Sequence, residues 1–185
     1  MKQDRRVQKT EHLYQEALLQ LLQEKAITDI SITELTEKAH LHRATFYTHY
    51  DSICDVLLSI EQGLLDTLEY ICRFDESVPD GSYIVLKHIF QFLETNREIM
   101  KIFFIKDIHF VTKMKTLVRQ FALRYCQYIY GANRDHEYAL LCDYMIEGMM
   151  YIFKEWVYGT QEGSASTMAH TLQRIMLFGM NSLER

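Results

Sequence analysis

The stretch Ser31-Ile-Thr-Glu-Leu-Thr-Glu-Lys-Ala-His-Leu-His-Arg-Ala-Thr-Phe-Tyr-Thr-His-Tyr50 decides the fold. It reads as two short helices joined by a three-to-four-residue turn. Ser31 opens an S-x-x-E pattern with Glu34, a capping box in which hydroxyl and carboxylate satisfy the first free N–H groups of a helix. Leu35 and Ala39 give that helix its apolar side. Its partner starts near His42 or Arg43 and extends to about Tyr50. Residues three or four apart share a helix face, so Phe46 and Tyr50 pack inward while Arg43, Tyr47 and the Ala44/Thr48 row face out.

The outward set is rich in groups that suit a DNA major groove, and two helices with a tight turn are the frame that delivers such a set. Arg43 offers a planar fork to guanine O6 and N7, or to a phosphate. Thr45, Tyr47 and His49 carry donors fitted to phosphate oxygens. Thr48 presents a methyl for thymine or a hydroxyl for a base edge. Thr33, in the first turn of the preceding helix, abuts the same groove, and that helix terminus favours a phosphate. The plainer alternative is a short amphipathic helix of a bundle with Thr and His on its wet side. Side-chain types alone leave both open.

Around this stretch the chain is helical in character. It has 185 residues, 48% of them apolar, and only one proline and seven glycines. Enough apolar surface exists for a core, and the scarcity of turn formers favours long helices over a many-stranded sheet. Leu13, Ala17, Leu18, Leu21 and Leu22 mark a helix over 8–25, and Ile53, Val56, Leu57, Ile60, Leu64, Leu65 and Leu68 another over 53–73, with Asp51-Ser52 as its cap. The segment Asp75-Glu-Ser-Val-Pro-Asp-Gly-Ser82 is the clearest break. Helices are predicted beyond it at 83–95, 97–105, 107–130, 135–158 and 164–181, the last three separated by Gly131-Ala-Asn133 and Gly159–Gly163. The expected fold is all-α: an N-terminal three-helix helix-turn-helix domain (1–52), joined by a connecting helix to a C-terminal bundle (53–185).

Charge is divided between these parts. Residues 1–50 hold seven bases (Lys2, Arg5, Arg6, Lys9, Lys25, Lys38, Arg43) against seven acids, so the net −5 lies wholly in the remainder. An acidic body and a neutral head with a basic N-terminus would orient the head toward phosphate. Cys54, Cys72, Cys126 and Cys142 form no C-x-x-C pair and sit in apolar helical patterns, as buried thiols of a reducing cytosol do. No apolar run spans a bilayer and the charged N-terminus has no signal-like segment, so a cytoplasmic location without membrane association is expected. His40-x-His42 with Glu37 nearby lacks a third zinc ligand, so no metal is expected. His88, His109, His136 and His170 show no nucleophile–base spacing, and no phosphate loop or hydrolase motif occurs. Neither an enzyme activity nor a cofactor is expected.

The segment Ala39–Tyr50 resembles the DNA-binding signature of the TetR/AcrR family of transcriptional regulators, with Asp29-Ile-Ser-Ile-Thr-Glu-Leu-Thr36 similar to that family's entry into its second helix. The resemblance covers about residues 8–65. It implies that Tyr47 and His49 contact phosphates, that Arg43, Ala44, Thr45 and Thr48 face bases or the groove, and that Thr33 assists. Three residues depart from the pattern. His40 replaces a turn glycine at a cost of about 1 kcal/mol, and His42 replaces a capping serine. Ile53 stands where a lysine commonly meets phosphate; Lys2, Arg5, Arg6 and Lys9 would compensate as a flexible arm.

In the C-terminal body, Phe90, Phe92, Phe103, Phe104, Phe110, Phe121, Tyr125, Tyr128, Met145, Met149, Met150, Phe153 and Trp156 are first of all core candidates. By resemblance this part houses a small-molecule effector pocket of unknown ligand and dimerises through its last two helices. Met145–Trp156 with the following loop and helix loosely resembles a subgroup that includes an activator of dihydroxyacetone-kinase operons. Ala139, Gly148, Ala165, Ala169, Leu172, Ile175, Met176 and Gly179 would admit a second helix pair closely. The expected function is a ligand-responsive regulator, a repressor by the family's habit, binding double-stranded DNA at a pseudo-palindromic operator as a homodimer. The alternative is a similar dimer working mainly through a protein partner, with weak DNA binding.

Overall fold

A computed structural model describes residues 2–73, 80–106, 108–130 and 135–181. Among these residues there are helices and no strand, as the scarcity of turn formers implies. The helices are α1 (Lys2–Glu24), α2 (Ile32–Lys38), α3 (Arg43–Phe46), α4 (Ile53–Ile71), α5 (Gly81–Thr95), α6 (Arg97–Lys106), α7 (Ile108–Tyr130), α8 (Asp135–Tyr158) and α9 (Ala165–Asn181), with a 3₁₀ turn at Ile27–Asp29. The predicted helices 83–95 to 164–181 coincide with α5–α9 to within two residues. Most of the break at Asp75–Ser82, and Gly131–Asn133, lie outside the described residues.

The chain divides into two compact units, 1–64 and 65–185. Their boundary falls inside α4, whereas the sequence marks its start.

The core of the first unit is aromatic. Tyr14, on α1, is fully buried and meets Phe46 and Tyr50 edge-on, with ring centroids 5.4 and 6.1 Å apart. Leu18, Leu21, Leu22, Leu35, Ile53, Val56 and Ile60 close around them. Polar stitching follows at the edge of this core. Gln15 donates to Ser59 Oγ at 3.1 Å, and Tyr50 Oη lies 3.2 Å from the same hydroxyl. Burial pushes the Tyr14 and Tyr50 phenols above their ordinary range, so both remain neutral. The expected basic arm is instead helical: α1 begins at Lys2 and carries Arg5, Arg6 and Lys9 exposed along its first turns.

Helix ends in this unit are closed by local chemistry. Ser31 Oγ accepts the Glu34 N–H at 3.2 Å. The Glu34 carboxyl is held below its ordinary range by Lys25 and, to a lesser degree, by the Ser31 backbone. At the start of α4 a second box forms: the Asp55 N–H donates to Ser52 Oγ at 3.3 Å, while Asp55 Oδ2 accepts the Ser52 N–H at 2.8 Å. The exit of α2 is a Schellman motif. The Leu41 N–H reaches Thr36 O at 3.0 Å and the His40 N–H reaches Glu37 O at 3.1 Å. His40 occupies the left-handed position with φ 54°, the position that glycine fills without strain.

In the second unit, α8 is central, packing against α5, α6, α7 and α9, and α5 lies along α9. Phe90 meets Phe153 and Trp156 edge-on at 5.3 and 5.4 Å, and Phe103 stacks on Phe110 at 4.5 Å. Most of the aromatic and methionine residues singled out above are thus core; Phe104 and Met145 are half-buried and Tyr128 is exposed. Ala165, Ala169, Leu172 and Met176 are likewise buried inside the unit itself. Gly148 differs, since a Cβ there would meet nothing within 4 Å.

His40→Gly should raise stability by about 1 kcal/mol, because glycine releases the left-handed strain and leaves both Schellman bonds intact. Chemical denaturation followed by circular dichroism would measure it; an unchanged or lowered midpoint would contradict the strain assignment.

Candidate nucleic-acid interface

The turn between α2 and α3 is short because His40 reverses the chain in one residue, and α3 starts at Arg43, three residues on. His42 caps α3 with extended backbone (φ −78°, ψ 143°) and no side-chain hydrogen bond, as loss of a capping serine predicts. Helix α3 is shorter than the predicted 43–50. After Phe46 the ladder tightens, with Thr48 N–H on Thr45 O at 3.2 Å and His49 N–H on Phe46 O at 2.9 Å. Tyr50 N–H still reaches Phe46 O at 2.9 Å, so the segment through Tyr50 remains coiled although α3 proper ends at Phe46.

This coil separates two sets of side chains. Phe46 is fully buried and Tyr50 nearly so, the anchors expected from their spacing. Arg43, Ala44, Tyr47 and Thr48 are exposed, Thr45 is half-buried, and Thr33 on α2 is exposed. The Arg43 guanidinium donates to Tyr47 Oη at 3.0 Å and lies 5.6 Å from the ring centroid. One helical turn therefore presents a cation and a phenol as a preassembled pair, with four further guanidinium N–H donors for an external acceptor. Tyr47 in turn rests edge-on against Phe46, with centroids 5.6 Å apart, so its ring is braced by the core. The Thr48 hydroxyl donates to Thr45 O at 2.7 Å.

His49 has a partner that sequence spacing does not reveal. Its Nδ1 lies 3.4 Å from Glu11 Oε1 on α1, and its side chain is only 11% exposed. The imidazole is thus positioned by a carboxylate 38 residues away. Ile53 is buried in the core of the unit and contributes packing at the position where a lysine contact was in question. His40 and His42 are both exposed beside Arg43. No group of three or more metal-ligating side chains occurs among the described residues, and no helix there is long and apolar enough to cross a membrane.

The sequence family TetR_C_8, described as a transcriptional regulator C-terminal region, matches residues 82–177, just over half of the chain. No curated protein matches the chain in sequence. Solved structures share its fold. A TetR transcriptional regulator from Streptococcus agalactiae 2603V is 22% identical, with 97% of this chain and 98% of that one covered at a TM-score of 0.67. The dihydroxyacetone kinase operon activator DhaS is 17% identical, covered 93% and 96%, at 0.65. Thermus thermophilus FadR, a TetR-family repressor solved with lauroyl-CoA, is 18% identical, covered 92% and 94%, at 0.53.

The two sets of side chains should separate on mutation. Arg43→Ala should change stability by no more than about 0.5 kcal/mol, as for an exposed surface position. Phe46→Ala should cost about 3–5 kcal/mol, as for a buried ring. Urea denaturation of the two variants checks this, and a large loss in Arg43→Ala would reassign the arginine to the core.

Proposed function

The chain belongs to the TetR family of transcriptional regulators, and from that premise we propose that it is a ligand-responsive, homodimeric repressor. It binds a pseudo-palindromic operator through Thr33, Arg43, Ala44, Thr45, Tyr47, Thr48 and His49, and it works in the cytoplasm. The observation that carries the DNA assignment is the exposed Arg43–Tyr47 pair seated over buried Phe46. A cation and a hydroxyl fixed in one turn, with their rotamers limited by a packed ring beneath, lose little entropy on engaging a phosphate or a guanine edge. Arg43 is assigned to a base, Tyr47 and the Nε2 edge of His49 to phosphates.

A single coil this short reads too few base pairs for useful specificity, so two copies are needed. The second unit carries a surface suited to that. Leu140, Tyr144 and Tyr151 on α8, with Ile175 and Phe178 on α9, are 52–81% exposed. Between the two helices runs an apolar groove of about 400 Å³ that includes Met145, Gly148 and Ile152. A contiguous apolar face of this kind is a mark of association, and a mid-helix glycine that no neighbour in its own chain requires makes room for another copy's helix.

The effector is a small, largely apolar molecule bound among the aromatic side chains of the second unit. Support comes from Trp156, whose buried indole N–H has no acceptor among the described residues. An unmet donor costs about 1–3 kcal/mol, which a polar ligand atom would recover. Helix α4 belongs to both units and is the element through which ligand binding would bias the DNA-bound arrangement.

Fluorescence anisotropy with duplex DNA from upstream of the protein's own gene tests the DNA assignment. Tyr47→Ala and Arg43→Ala should each weaken binding about tenfold or more, with a shallower salt dependence for Arg43→Ala, which removes a cation, and an unchanged one for Tyr47→Ala. Unchanged affinity in both would remove the site assignment. Absent or salt-insensitive binding by the unmodified protein would point to regulation through a protein partner. Sedimentation should show a dimer that Tyr144→Asp with Phe178→Asp converts to monomer.

A further inference from the structure

Four cysteines are present and all are reduced; Cys54 is exposed, whereas Cys72, Cys126 and Cys142 are buried. Two of them touch. Cys126 on α7 and Cys142 on α8 place their sulfurs 3.4 Å apart. Cross-helix ion pairs keep the two helices in register along the same seam: Lys115 Nζ with Glu147 Oε1 at 2.6 Å, and the Arg119 guanidinium with the Asp143 carboxylate. A disulfide needs its sulfurs at about 2.05 Å, so closure draws the two sulfurs together by roughly 1.35 Å.

We propose that Cys126 and Cys142 form an oxidisable dithiol, a modification site at which hydrogen peroxide closes a disulfide between α7 and α8. The Cys142 sulfur attacks the peroxide, cleaving its O–O bond to leave a sulfenic acid and one water. The Cys126 thiol then attacks the Cys142 sulfur, forming the S–S bond and releasing a second water. Two thiols are oxidised and one peroxide is reduced. The order of attack follows the environment. The contact with Cys126, together with the Arg119 charge, lowers the Cys142 thiol by more than burial and Asp143 raise it, whereas hydrogen bonding to Cys142 and burial push Cys126 up. Closure would tie α8, which bears the exposed apolar stripe, covalently to α7.

The test uses the full chain in a Cys54→Ser background, folded in native buffer and treated with a few equivalents of hydrogen peroxide. It is then alkylated in denaturant and mapped by mass spectrometry without reduction. A peptide linking Cys126 to Cys142 should form, two hydrogens lighter, with only Cys72 still alkylated and full reversal by dithiothreitol. In Cys126→Ala, dimedone should trap Cys142; in Cys142→Ala, neither product should form, with folding of both variants verified by circular dichroism. A pair that stays fully alkylatable, or that links only after denaturation, would overturn the proposal. So would a Cys142→Ala protein whose Cys126 is trapped as readily as Cys142 had been.

Discussion

The exposed side chains of α3 depend on one buried contact, the edge-on packing of Phe46 against Tyr14. Helix α3 makes barely one turn, too short to be stable alone. It persists because Phe46 is inserted among Tyr14, Tyr50 and the leucines of α1 and α2. Since the ring is fixed, the residue before it and the residue after it must point elsewhere, and Tyr47 leans on Phe46 while Arg43 leans on Tyr47. Core packing therefore sets the direction of the exposed cation through two successive side-chain contacts. This is how an aromatic core of modest size can present a polar constellation with little freedom.

Much of this was legible before any coordinates. The 3.6-residue spacing of apolar positions locates α5–α9 to within two residues, because each of these helices must bury a stripe, and the stripe is visible as composition. The inward and outward assignments of Phe46, Tyr50, Arg43 and Tyr47 follow from the same period. Likewise the departures at His40 and His42 show themselves as a left-handed residue and an uncapped helix start. Each of these is a local property, decided within a turn or two of chain.

The features that sequence spacing does not carry are non-local or graded. Tyr14 is the centre of the first core, yet a tyrosine on an amphipathic helix gives no sign that its hydroxyl will be enclosed. The resemblance implies a phosphate contact for His49, and only the fold brings Glu11 to its ring. Ile53 reads as a missing lysine when compared with relatives, but in its own setting it is a core residue. The basic N-terminus reads as an arm because charge density says nothing of helicity when apolar markers are absent; α1 nonetheless begins at Lys2. The contact between Cys126 and Cys142 depends on the register of two helices, which no spacing rule supplies.

Helix α4 has a consequence for anyone who would work with the parts separately. Its first half supplies Ile53, Val56 and Ile60 to the core around Tyr14, and Ser59 to the polar edge of that core, while its second half belongs to the other unit. A fragment cut at residue 52, where the helix-turn-helix pattern ends, would open one wall of its own core to water. A head that keeps this wall carries the helix to the end of the first compact unit at Leu64, about three turns beyond residue 52.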